Sequence, residues 1–245
     1  MVEKLPRSEP SYRTLFCLGS WAAWIAAALI LAETVVFILY PQPGTIEGWF
    51  QLFQVRPVIG LLDAWLLELP LYAAFVGVFL ALYTLFKKDH AVLALFGLAM
   101  ALLGCVVFFA TNNPFALLSL SDQHAAATTE AARSQLLAAG QALLIHTGQR
   151  AVGGFNLGLL LVSVAGLIFS LLMLRSAVFN RSTAIWGILA NAVSLADYLR
   201  QALTDSPIAT LLVVLPNTIL LITWFCLLGH RLWKLKRSSN QARMT

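Results

Sequence analysis

Residues 91–111 read AVLALFGLAMALLGCVVFFAT, an unbroken apolar stretch without Asp, Glu, Lys, Arg or His. A helix rises about 1.5 Å per residue, so roughly 20 such residues cross the ~30 Å hydrocarbon core of a bilayer. No alternation of apolar and polar residues runs through it, which disfavours a barrel strand. Working outward, residues 15–39, 58–86, 151–174, 184–203 and 208–233 qualify on the same grounds. In lipid the backbone must satisfy its own polar groups, and without a barrel this leaves a helical bundle. The expected fold is all-α: a polytopic transmembrane bundle of six spans, one domain over residues 15–235, with tails at 1–14 and 236–245.

The whole chain agrees with that reading. Of its 245 residues 60% are hydrophobic and 11% charged, with a mean hydropathy of +0.81. A soluble domain carries about 25% charge, so an ordinary water-soluble enzyme is excluded. The net charge of +5 is spread between apolar runs rather than gathered in a patch, and no nucleic-acid partner is expected. Cys17, Cys105 and Cys226 each sit in an apolar run with no CxxC spacing, where a thiol behaves as a small hydrophobe. The first apolar run exceeds the 7–15 residues of a signal-peptide core and is read as a retained span.

Lys and Arg divide unevenly between the two sides. Lys4, Arg7, Arg13, Lys87, Lys88, Arg175, Arg181, Arg231, Lys234, Lys236, Arg237 and Arg243 share one side, twelve of the sixteen; Arg56, Arg133, Arg150 and Arg200 share the other. The positive-inside rule places both termini in the cytoplasm. The localisation expected is a plasma (inner) membrane, crossed several times. Trp233 beside Lys234 and Lys236 reads as an interfacial anchor.

The longest connection, about 114–148, lies outside between spans three and four. Ser121 suits an N-cap, Asp122 the positive helix end, and Leu136, Leu137, Leu143 and Leu144 recur at helical spacing. An extracytoplasmic amphipathic helix is expected there, one that could continue into the fourth span. Gly154, Gly158 and Gly166 mark a face where helices meet.

Ionisable groups cost ~2.5–3.5 kcal/mol each at a membrane helix centre, so their depth matters. Glu68 lies roughly 27 Å above Phe86 and Asp63 about 34 Å, while Glu33 is about 27 Å above Leu15 and Asp197 about 20 Å above Ala184. All four acids fall toward the outer side. Arg56, Gly60 and Asp63 form one stripe at i, i+4 and i+7, Glu68 points elsewhere, and Asp197 and Arg200 are neighbours able to neutralise each other. An outward-facing polar cluster is expected from Arg56, Asp63, Glu68, Arg150, Asp197 and Asn217, with His146 at the entrance to the fourth span. The same residues also suit interfacial positions that reach the headgroups. His90, His124 and His230 sit in loops or at ends, so haem binding is not expected, and no HExxH, GxSxG or phosphate-cradling loop occurs. No cofactor or metal is expected.

Phe53-Gln54-Val55-Arg56-Pro57 opening the second span, with Asp63 one to two turns on and Leu82-Tyr83-Thr84-Leu85-Phe86-Lys87-Lys88 closing it, resembles the bacterial six-span family of domain of unknown function 4386. The long third loop leading to His146, and Ala184-Ile185-Trp186-Gly187-Ile188-Leu189 followed by Asp197-Tyr198, are similar in order to that family's later segments. Asn180-Arg181-Ser182-Thr183 stands where the family usually has a proline. The resemblance implies a bacterial inner-membrane protein of six helices and carries no catalytic residues. The expected role is a ligand-binding, sensory or partner-subunit protein, with membrane lipid and a membrane-protein partner or second copy as associates. The alternatives are a transporter or channel for a small or lipid-like solute, and an intramembrane enzyme in which Asp63, Glu68 and His146 converge.

Overall fold

The computed structural model of the chain describes residues 10–149, 154–203 and 207–241, and the side chains of 13–149, 154–200 and 212–236. Its helices are α1 (Pro10–Leu39), α2 (Ile46–Val55), α3 (Pro57–Leu61), a π-helical turn (Leu62–Leu66), α4 (Glu68–Phe86), α5 (Ala91–Thr111), α6 (Pro114–Ala126), α7 (Glu130–His146), α8 (Leu157–Leu174), α9 (Arg181–Leu203) and α10 (Pro207–Gln241). No strand occurs among the described residues. Five segments are long and apolar enough to cross a membrane: Arg13–Leu39, Pro57–Phe86, Ala91–Ala126, Leu157–Leu174 and Leu212–Lys236. The molecule is an all-helical, multi-pass membrane protein.

The stretch expected as the fifth span is the 23-residue helix α9. Arg181, Asn191, Ser194, Asp197 and Arg200 dilute its apolar character, and it is not among the five. It packs between α8 and α10 in a closed order of neighbours: α1 on α4, α4 on α5, α5 on α8, α8 on α9, α9 on α10, and α10 back on α1. Lipid tails are as apolar as leucine, so such helices associate through close packing rather than the hydrophobic effect. Small residues permit it here. A Cβ added at Gly19 of α1 would stand 2.5 Å from the Cβ of Ala81 on α4. The glycines of α8 are used within the chain: Gly158 faces Gly104 of α5, and Gly166 faces Asn191 of α9. The middle of the bundle is filled by buried rings, with Phe79 against Phe169 at 5.7 Å and Phe75 stacked on Phe225 at 5.5 Å.

The 114–148 connection is two helices. Asn113 caps α6 by accepting the Ala116 amide at 3.2 Å, ahead of Pro114 at the first helical position. Thr129 caps α7 in the same way, accepting the Ala132 amide at 3.2 Å. Ser121 is therefore not a cap but lies inside α6. It is fully buried, donating to the Phe50 carbonyl at 3.0 Å and accepting from Gln54 Nε2 at 3.1 Å, which ties α6 to α2. The helix α2, unanticipated in the sequence, also packs on α7, where a Cβ at Gly140 would meet Ile46 Cδ1 at 2.6 Å. Replacing Ser121 with alanine leaves the Phe50 carbonyl without its donor and should cost about 1–2 kcal/mol. Hydrogen exchange should show it as faster exchange across α2 and α6 with α5 and α8 unchanged.

Helix α7 does not continue into the fourth span. Gly148 has φ +85°, and the Gln149 amide bonds back to the Leu144 carbonyl at 3.0 Å, the six-to-one closure that ends a helix at a left-handed residue. A new helix, α8, starts at Leu157, with the Asn156 side chain accepting from the Leu159 amide at 2.9 Å.

Candidate functional site

The second span is broken at the acids. Pro70 has no N–H, and its ring crowds the carbonyl four residues back, that of Leu66. Upstream of it the chain leaves α-geometry over Leu62–Leu66: Ala64 has φ −90° and ψ 45°, and Trp65 has φ 69° and ψ 16°. A left-handed tryptophan costs about 1–3 kcal/mol and persists only where its surroundings fix it. Trp65 is buried and stacks on Trp49 of α2 at 6.3 Å. Gln42, from the connection before α2, donates its Nε2 to the Asp63 carbonyl at 3.0 Å, satisfying a backbone group within the break.

Acids from two helices stand around this bend. Asp63 is fully buried, and neither carboxylate oxygen has a hydrogen-bond partner among the described residues. Glu33 of α1 lies within electrostatic reach of Asp63 and is hydrogen-bonded through its side chain to Glu68 of α4. One turn along α4, Tyr72 lies within reach of both Glu33 and Glu68 and of Tyr198 on α9. Its ring stacks on Phe108 at 3.8 Å, and its buried hydroxyl has no hydrogen-bond partner among the described residues.

Across the two tyrosines stands a second polar group. Arg200 Nη2 and Nε both reach Asp197 Oδ1 at 2.9 Å, with the Asp197 side chain only 4% exposed. Asn217 of α10 donates to Ser194 Oγ of α9 at 2.8 Å, and Tyr198 takes Phe155 edge-on at 5.1 Å. Removing one partner of a buried pair strands the other charge, discounted here by the partial exposure of Arg200. Arg200→Gln should therefore cost about 1–2 kcal/mol in thermal unfolding. The Asp197→Asn, Arg200→Gln double variant should recover part of that loss, a coupling that a double-mutant cycle measures.

The structure thus sets Asp63 and Glu68 each within reach of Glu33 on α1, and Asp197 and Asn217 on α9 and α10. It does not bring in Arg56, which is exposed at the break between α2 and α3 with its guanidinium 5.7 Å from the Tyr40 ring. The Arg56, Gly60 and Asp63 stripe does not form. Gly60 instead admits Phe53, whose ring would lie 2.7 Å from an added Cβ. His146 is exposed in the last turn of α7, and Arg150 lies outside the described residues. Among the described residues no three His, Cys, Asp or Glu side chains could hold a metal ion together. The sequence reading had left out Glu33, Tyr72 and Tyr198. Glu33 carried a signal in its depth, which matches that of Glu68, but its partner stands on another helix.

The family model described as "Domain of unknown function (DUF4386)" matches residues 59–229. No curated protein and no solved structure matches the chain.

Proposed function

The chain belongs to the family of domain of unknown function 4386, and from that premise we propose that it is a membrane-embedded binding or sensing protein. Its receiving site is the acid group Glu33, Asp63 and Glu68, and the occupant is a proton or a small organic cation. One observation carries this reading: Asp63 is fully buried in a broken membrane helix, and neither carboxylate oxygen has a hydrogen-bond partner among the described residues. Buried charge is costly inside a bilayer and is characteristic of functional sites there, and backbone held in a left-handed conformation clusters at such sites as well. Glu33, within electrostatic reach of Asp63 and beside Glu68, places further acids at the site.

We take α9 as a sixth crossing, packed between α8 and α10 with its polar Asn191, Ser194 and Asp197 buried and its apolar Ile185, Leu189 and Leu199 exposed. An even number of crossings puts both chain ends on one side, and the excess of Lys and Arg there supports a cytoplasmic assignment. The acids then face the outer half of a bacterial inner membrane, beneath the layer of α2, α6 and α7. Membrane lipid is the immediate associate of this surface, and a protein partner or second copy would join through it.

Trp65 and Trp49 report on the site, since Trp65 is two residues from Asp63. Acid titration of the purified full chain in detergent should change their emission through a transition that Asp63→Asn abolishes and Glu68→Gln displaces. Identical titrations in parent and Asp63→Asn would overturn the reading. A second reading, transport of a small solute, is favoured by the break in the second span, because discontinuous helices line transporter sites. The Phe75, Phe79, Phe169 and Phe225 rings fill the path below the acids and favour sensing. Uptake of methylammonium into reconstituted vesicles that depends on Asp63 would install transport instead.

A further inference from the structure

At the opposite end of the bundle, the start of α1 and the end of α10 flank an open cleft of about 300 Å³ lined by Arg13, Thr14, Cys17 and Lys236. Neither cation has a carboxylate partner among the described residues. Lys236 Nζ lies 4.0 Å from the centre of the Trp233 ring and donates to Cys17 Sγ at 3.0 Å. The ring contact and the thiol hold the ammonium at the cavity, and an ammonium with three donors has others to give. Deeper on the same two helices Trp21, Trp24 and Trp233 pack against one another, with centroids 5.5, 6.2 and 5.7 Å apart. Trp21 is half exposed.

We propose that this cleft binds the phosphate of an anionic phospholipid headgroup, with the tryptophan cluster at the level where the glycerol and acyl chains begin. Two cations and a hydroxyl around a cavity suit a phosphate, and a basic pocket between membrane helices is where acidic headgroups are held. Tryptophans at the polar–apolar boundary set the depth, because their rings prefer that level. A free phosphate would use the cations and the hydroxyl alone. A phospholipid also requires the apolar wall below them.

Cys17 reads occupancy directly. In the full-length Cys226→Ser variant, with Cys105 buried, labelling of Cys17 by a neutral maleimide is followed in detergent. The additions are dioctanoyl phosphatidylglycerol, dioctanoyl phosphatidylcholine or inorganic phosphate. Phosphatidylglycerol should slow labelling, phosphatidylcholine and inorganic phosphate should not, and Arg13→Gln with Lys236→Gln should weaken protection about thirtyfold. Lys236→Arg keeps the charge and should retain most of the protection, which separates lost binding from lost folding. Equal protection by phosphatidylcholine, protection by inorganic phosphate alone, or protection that survives the double glutamine variant would overturn the assignment.

Discussion

Replacing Gly104 with leucine should abolish the folded bundle. A Cβ at Gly104 would stand 2.6 Å from the carbonyl oxygen of Gly158 and 3.0 Å from Val162 Cγ2; one at Gly158 would stand 2.9 Å from the Gly104 carbonyl. The nearest obstacle on each side is backbone, which cannot rotate away as a side chain can. Any added carbon must push α5 and α8 apart along their crossing. Alanine should cost about 1–3 kcal/mol, as overpacking of a close-packed core does, and leucine more than about 4 kcal/mol. Thermal unfolding and size-exclusion profiles in detergent would measure this. Gly44→Ala serves as the control, since nothing lies within 4 Å of a Cβ there. A Gly104→Leu protein that elutes and melts like the parent would show that α5 and α8 do not cross where the structure places them.

Asp63→Leu should move the molecule in the opposite direction. The carboxyl group is buried with no donor to it among the described residues, and a leucine of similar size removes that deficit. Stability should rise by about 1–3 kcal/mol, the usual cost of an unsatisfied buried polar group, while the acid-dependent change in Trp49 and Trp65 emission disappears. Gain of stability with loss of response is the pattern of a functional residue maintained against the fold. A purely structural Asp63 would give the reverse, a lower melting temperature and a titration like that of the parent.

How far the site was legible depended on the distance between interacting residues in the chain. The Asp197–Arg200 pair is local, three residues apart on one helix, and its spacing alone predicted it. Asp63 and Glu68 were visible in the sequence as acids at the same end of one span, but Glu33 of α1, which reaches both, stands on another helix. Pro70 marked the interruption, yet a proline does not say which way the chain turns. Trp65 adopts a positive φ because Trp49, on a helix the hydropathy pattern did not reveal, stacks on it. Arg56 was set on the Asp63 face by helical counting, but its own backbone leaves the helix between α2 and α3, with φ −142° and ψ 70°, and the side chain is turned outward.

Sequence alone determined the solvent, the helical class and the apolar segments, because these follow from composition and from the need of a backbone in lipid to bond to itself. Only the tertiary structure decided that the second span is broken and that Glu33 of α1 meets Glu68 of α4. It also decided that the α8 glycines serve α5 and α9 of the same chain. Those outcomes depend on which helices become neighbours and on where their small residues let backbones touch, and the spacing of residues along one helix contains neither.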